Sequence, residues 1–415
     1  RIRYENQGLG KWSIRKENLQ QIQSIYNELG DGGLKTNLDE FFQSFDDLFS
    51  ADDTESSNSV RDSVIQKAVT LTTQMNHINN SLMEFRDHLG SEIESKLAEV
   101  NDLTSRIADL NKQIIAIESD TTKAANDLCD ERDALIDDLS KIVDIKVTID
   151  SENQAQISLN GLGIVRGINS NQITFESKTV TATSDDGNRV YNNEFDKYTF
   201  QVNGNEVNIN SGEIYGLMTV RGDIADQKMN KLDLLAETVI EEVNALHRQG
   251  YGKNDLDNTN PPNRDFFMGT DASNIKVNDN GTDGIIGHPE NIAVAPDTED
   301  SDGDGENDLI GDRSIASQIF KLREKSIASL GNTTIDDFWE THTGHLGVEI
   351  SRAEAMETNQ NVLLNSLDEK KQEISGVSLD EEMTEMVKYQ HGYNAASRVI
   401  AVMDEMLEQL INGII

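Results

Sequence analysis

Between Val64 and Ile117 the apolar residues recur every seven positions, a rhythm that only a long helix can keep. Val64, Leu71, Ile78 and Phe85 form one series, and Ala68, Met75, Leu82 and Leu89 form the other. After Gly90 the pattern resumes one residue late with Ile93, Val100, Ile107 and Ile114, accompanied by Leu103, Leu110 and Ile117. Side chains at this spacing line one face, so the stretch predicts coiled-coil-like packing with a skip. A seam of that length has to be covered, and what covers it decides the fold.

The flanking segments offer both kinds of cover. "LQQIQSIYNEL" and "LDEFFQSFDDLF" read as shorter amphipathic helices joined by the turn "GDGG". "NDLCDERDALIDDLSKIVD" reads as another helix, and then the period shortens to two. "IKVTID", "AQISLN", "QITFES", "KYTFQVNG" and "EVNINSG" alternate apolar with polar residues between Gly, Asn and Asp, the pattern of antiparallel strands and hairpins. "GLGIVRG", residues 161–167, lacks the Gly-Lys-Ser/Thr ending of a phosphate loop and fits a hairpin. Helix returns at "IADQKMNKLDLLAETVIEEVNALHRQ", and residues 250–311, which hold all four prolines, read as loops with one or two short strands.

A second heptad pattern closes the chain. Leu379, Met386, Tyr393, Ile400, Leu407 and Ile414 occupy its first position, and Glu382, Tyr389, Ala396, Met403 and Leu410 its fourth. An apolar stripe on a terminal helix cannot be buried by that helix itself. It needs a partner helix from the same chain or from neighbours, unless it is an ordinary core helix.

The chemistry visible beside this packing is slight. Thirty-six basic against 75 acidic residues give a formal charge of −39, which repels nucleic acid and anionic membranes, so neither is an expected partner. No run of 18 apolar residues suggests membrane insertion, and the opening "RIRYENQGLGKW" has no apolar signal-peptide region. Cys129 stands alone, which excludes an internal disulfide and a Cys-based zinc site. "HTGH", residues 342–345, lacks the four-residue spacing and the Glu of a zincin, and Gly344 is expected to break the helix there. Asp300, Asp302, Asp304 and Asp308, with Gly305, approximate a calcium loop, but Gly311 stands where an EF-hand needs its bidentate Glu. Calcium is the one cofactor left open, and one isolated site would stiffen a loop rather than define a function. No catalytic cluster emerges, so the chain is not read as an enzyme.

Several segments nevertheless match a known family. "EISGVSLDEEMTEMVKYQHGYNAASRVIAVMDEMLEQLING" resembles the C-terminal signature of flagellar hook-associated protein 1, an ending that other axial flagellar proteins share in looser form. "NDLCDERDALIDDLSKIVDIKV", "SGEIYGLMTVRGDI", the Asn-x-x-His-x-x-Gly-Tyr run from Asn244 to Tyr251, "RDFFMG" and the early "FFQSFDDLF" are similar to that family as well, in order along the chain. The resemblance implies a structural subunit of the hook–filament junction, without enzymatic activity. Implied with it are export through the flagellar type III pathway and an extracellular location on the bacterial flagellum. The implied partners are the hook protein, the second hook–filament junction protein, further copies in a ring, and an export chaperone at the C-terminal helix. The family's N-terminal helix has no counterpart ahead of Arg1. The chain is therefore expected to be monomeric, with its last segment partly disordered.

The combined reading is an elongated α+β protein: long coiled-coil-like helices from both ends of the chain, with a small antiparallel β domain inserted in the middle. The expected divisions are a helical rod part at 1–144, the β domain at 145–221, a helix at 222–249 and an Asp/Gly/Pro-rich loop region at 250–311. The second rod part is expected at 312–374 and the terminal assembly helix at 375–415. The assembly and chaperone interface is placed on Leu379, Met386, Tyr389, Tyr393, Ala396, Ile400, Met403, Leu407, Leu410 and Ile414. The rival reading is a calcium-stiffened surface adhesin with a coiled-coil stalk.

Overall fold

In the computed structural model the described residues are 1–27, 33–51, 56–119, 124–183, 190–253, 255, 261–296, 313–375 and 379–412. They divide into two units, Arg3–Gln360 and Asn361–Ile415 with Arg1–Ile2. The aspartates of the candidate calcium loop, Asp300, Asp302, Asp304 and Asp308, lie outside the described residues, as does Ile414.

The larger unit is organised on the heptad helix. α1 (Ile2–Asn27) and α2 (Gly33–Ser50) lead into α3 (Ser56–Glu118), 63 residues long, followed by α4 (Asn126–Ile142). Every heptad residue of α3 is buried except Phe85, half-buried, and Ile117, 39% exposed. Its cover is a succession of short elements. α2 and α4 both pack on it, and polar side chains along its length tie down the loops and strands. Asn76 donates to the carbonyls of Ala272 and Ile275 at 2.9 and 3.2 Å. Asn101 exchanges two hydrogen bonds with the backbone of Ile173. Asn111 does the same with Ala155 and also donates to the carbonyl of Gly167. These side-chain amides satisfy backbone groups at the strand ends that burial would otherwise leave unpaired. Gly90, at the skip, lies close to Tyr198: a β-carbon there would be 2.7 Å from its hydroxyl.

The β region is two antiparallel sheets. β1 (Ile145–Ile149), β2 (Ala155–Leu159), β3 (Leu162–Arg166) and β4 (Asn169–Ser170) form a meander in chain order. β5 (Ile173–Thr183), β6 (Val190–Val202) and β7 (Asn205–Val207) form the second sheet, with Phe175 opposite Phe200. Gly161 turns the β2–β3 hairpin at φ +85°, a conformation open to glycine. The hairpin expected at "GLGIVRG" is therefore present, with no phosphate-loop helix behind it.

The helix after the sheets starts earlier than the hydrophobic pattern suggests. α5 (Glu213–Asp223) passes into a π-helical turn (Ile224–Met229) and then into α6 (Asn230–His247). α1 is tied to both ends of the β region through Gln7. The Gln7 amide donates to the carbonyl of Ile145 at 3.1 Å, and the Gln7 carbonyl accepts from the backbone of Gly212 at 3.1 Å. One residue thus holds both the first strand and the return into helix.

The loop region docks through two of the segments that carry the family resemblance. β8 (Phe267–Met268) pairs with β9 (Lys276–Val277). Asn244 of α6 accepts hydrogen bonds from the backbone of Phe266 and Phe267, both 2.9 Å, and donates to the carbonyl of Phe267. The two rings, fully buried, then meet Phe41 and Phe45 of α2 at centroid distances of 5.4–5.9 Å. The early "FFQSF", the Asn244 run and "RDFF" are therefore three sides of one contact. α7 (Ser314–Lys321) also packs on α2.

α8 (Ile335–Ser375) runs uninterrupted through Gly344, which corrects the expected break. Its buried residues His342, Leu346, Ile350 and Ala353 fall on one helical face. A mid-helix glycine costs about 1 kcal/mol, which burial of the Leu and Ile at about 1.5–3 kcal/mol each outweighs. α9 (Leu379–Asn412) belongs to the second unit.

Candidate assembly interface

α9 is 34 residues long, about 50 Å at 1.5 Å per residue. Met, Leu, Ala, Glu and Gln are good helix formers, and Glu385 pairs with Lys388 at 3.2 Å one turn on. Residues 379–412 form one continuous helix. Its length is well beyond the roughly 12–15 residues below which isolated helices are marginal.

Seven of the expected interface residues have described side chains, and all are exposed: Met386, Tyr389, Tyr393, Ala396, Ile400, Met403 and Leu407. Tyr393 is 75% and Ile400 61% exposed. Their spacing alternates between three and four residues, so they share one face of the helix. Leu379 and Leu410 lie within the helix, but their side chains are outside the description, and Ile414 is outside altogether.

Met383, Val387, Val399, Val402 and Met406 are exposed as well. Met383, Val399 and Met406 flank the two heptad positions and widen the stripe. A search restricted to those two positions misses them; counting every apolar residue at i, i+3 and i+4 finds them. A wider stripe fits a helix bundle better than a two-stranded seam.

The His342 candidate resolves into structure. The Nε2 of His342 shares a 3.0 Å hydrogen bond with the hydroxyl of Tyr26, and both rings pack on Trp339 at 5.4 and 5.2 Å. Burial, with Lys228 and Lys231 nearby, holds the His342 imidazole neutral by lowering its pKa to about 3. It is a core histidine. His247 is similar: Nδ1 donates to the carbonyl of Arg264 at 2.7 Å, and Nε2 accepts from the backbone of Ala293 at 2.9 Å. Its burial lowers the pKa to about 4. Among the described residues, no group of three or more His, Cys, Asp or Glu is placed to hold a metal ion.

Two family models match the chain. Residues 19–267 match the flagellar hook-associated protein FlgK helical domain, and residues 370–413 match the C-terminal segment of the flagellar basal body rod FlgEFG proteins. Flagellar hook-associated protein 1 of Bacillus subtilis (strain 168) is 30% identical over 438 residues, covering 99% of this chain and 82% of that protein. Its namesake from Salmonella typhimurium is 25% identical, covering 95% and 84%. The solved structure of the flagellar hook junction protein FlgK from Burkholderia pseudomallei shares the fold, with a TM-score of 0.68 over 91% of this chain and all of that one, at 15% identity. A helical-domain match over more than half the chain and a relative 30% identical along nearly all of it make this chain a member of the flagellar hook-associated protein 1 family, structural proteins of the bacterial flagellum.

Proposed function

We propose that the chain is a structural subunit of the hook–filament junction that assembles through the apolar stripe of α9. The observation that carries this reading is the continuous exposure of Met386, Tyr389, Tyr393, Ala396, Ile400, Met403 and Leu407 on one helical face. Covering a side chain of this kind contributes about 1.5–3 kcal/mol, so the row supplies the driving force of an obligate assembly surface. Its partners are the hook protein, the second junction protein and neighbouring copies in a ring, with an export chaperone holding the same stripe before assembly. The subunit reaches the outside of the cell through the flagellar type III pathway and carries no enzymatic activity. The adhesin reading rests on the Asp300–Asp308 run, and no relative favours it.

The test adds the full-length protein to purified hooks that lack junction proteins and locates it by immuno-electron microscopy. Label confined to the distal end of the hook is the expected result. Unlabelled hooks that still accept a control junction protein overturn the reading.

A further inference from the structure

The fold sorts the methionines of this chain by their access to solution. Ten are present, and four of them, Met383, Met386, Met403 and Met406, stand on the 34 residues of α9. These four are 55–61% exposed. Met75 and Met229 are fully buried in the larger unit, and Met218, Met268 and Met356 are half-buried. Met83 is 38% exposed, but its sulfur accepts a hydrogen bond from Nδ2 of Asn79 at 3.8 Å. The sulfurs of α9 are thus the thioethers that a dissolved oxidant meets first.

Their positions tie that reactivity to the apolar stripe. Met386 and Met403 occupy its two heptad positions, and Met383 and Met406 each stand one turn from one of them. A thioether is apolar and adaptable enough to belong to such a contact. Its sulfoxide is polar, with an oxygen that accepts hydrogen bonds strongly, and burying that oxygen without a donor is unfavourable.

We propose that α9 carries an oxidisable methionine site that closes the assembly stripe. Hydroperoxide converts the four thioethers of a free chain to sulfoxides, and a chain so modified is no longer incorporated. In each step the sulfur lone pair attacks one peroxide oxygen, and the S–O bond forms as the O–O bond breaks. The sulfur gives up two electrons to the peroxide. The proton of the transferred oxygen passes to the departing hydroxide, which leaves as water. The site rests on the reading of α9 as the junction contact, and that reading gives it a direction. The contact that sulfoxides prevent shields the same sulfurs once it has formed.

Hydrogen peroxide is the probe. The full chain, carrying Cys129→Ser to remove its one thiol, receives a limiting dose, and the added oxygens are located by peptide mass spectrometry. Met383, Met386, Met403 and Met406 are expected to be oxidised about fivefold or more faster than Met75 and Met229. Label at the tips of purified hooks is expected to fall about tenfold or more, and methionine sulfoxide reductases are expected to restore it. A chain with Met383→Leu, Met386→Leu, Met403→Leu and Met406→Leu, compared with its own untreated label, is expected to lose the sensitivity. If that chain gives no label of its own, reversal by the reductases decides. Oxygens spread evenly over all ten methionines overturn the site. So does a loss of label that persists in the leucine chain or resists the reductases. Treated and untreated chains that label hooks equally overturn this proposal alone, whereas an untreated chain that never labels them overturns the junction reading and the proposal with it.

Discussion

The imidazole of His247 accepts a hydrogen bond from the backbone N–H of Ala293 at 2.9 Å, an arrangement available only to the neutral ring. With Nδ1 donating to the Arg264 carbonyl, one side chain pins two stretches of the loop region to the end of α6. His342, locked against Tyr26, is neutral for similar reasons of burial.

Both histidines therefore make stability fall with acid. Their folded pKa values are about 4 and about 3, against roughly 6.5 in the unfolded chain, so the unfolded state takes up protons first as pH drops. The loss begins near pH 6.5 and reaches about 1.4 kcal/mol per histidine by pH 5.5, above the range where most carboxylates titrate. Urea midpoints at pH 7.5 and 5.5 check this. Equal midpoints would show that neither ring is held neutral by the fold.

Asn244→Ala removes three hydrogen bonds to the backbone of Phe266 and Phe267. Leaving buried backbone groups unsatisfied costs about 1–3 kcal/mol each, so a loss of about 3 kcal/mol is expected. Hydrogen exchange should quicken first in residues 264–295. A loss below about 0.5 kcal/mol, or exchange that quickens only in the β sheets, would contradict the docking role given to Asn244.

Two glycines should respond in opposite directions to alanine. Gly212 has φ +89°, and a β-carbon there would lie 2.4 Å from the carbonyl oxygen of Ile142, so Gly212→Ala is expected to destabilise by more than about 2 kcal/mol. Gly344 is helical with open space around it, so Gly344→Ala is expected to stabilise by about 0.5–1 kcal/mol. Thermal melts of the pair would expose a wrong placement of either backbone.

The same pair marks what a sequence can reveal. Periodicity located α3, because a seam buried on many sides leaves the same heptad whatever covers it. The strands of the β region were legible because one face of each is wet. Gly344 misled because a glycine's cost is local, whereas the burial of Leu346 and Ile350 that overrides it is tertiary. The start of the helix at Glu213 was hidden for a related reason: Arg221 and Lys228, polar in sequence, are buried in the structure and blur the apolar period. The resemblance named "RDFF" and the Asn244 run, but their meeting with Phe41 and Phe45 depends on residues some 200 positions apart, which no local pattern encodes.

The α9 stripe is where structure and function separate most cleanly. Met403 and Leu407 are 55% exposed, lie in the unit Asn361–Ile415 and are not members of the buried hydrophobic cluster. A charge at either position therefore removes nothing from that cluster, and the melting of Arg3–Gln360 should stay within about 0.5 kcal/mol of the parent. In the proposed assembly the same charge would have to enter an apolar contact without a partner, at a cost of several kcal/mol. Met403→Asp and Leu407→Asp are accordingly expected to abolish incorporation at the hook tip, whereas Met403→Leu should preserve it because volume and polarity are retained. The measurement is hook-tip label counted beside a thermal melt for each variant. Normal incorporation of either aspartate variant would remove α9 from the interface; lost incorporation with a lowered melt of the larger unit would mean that the stripe serves the fold instead.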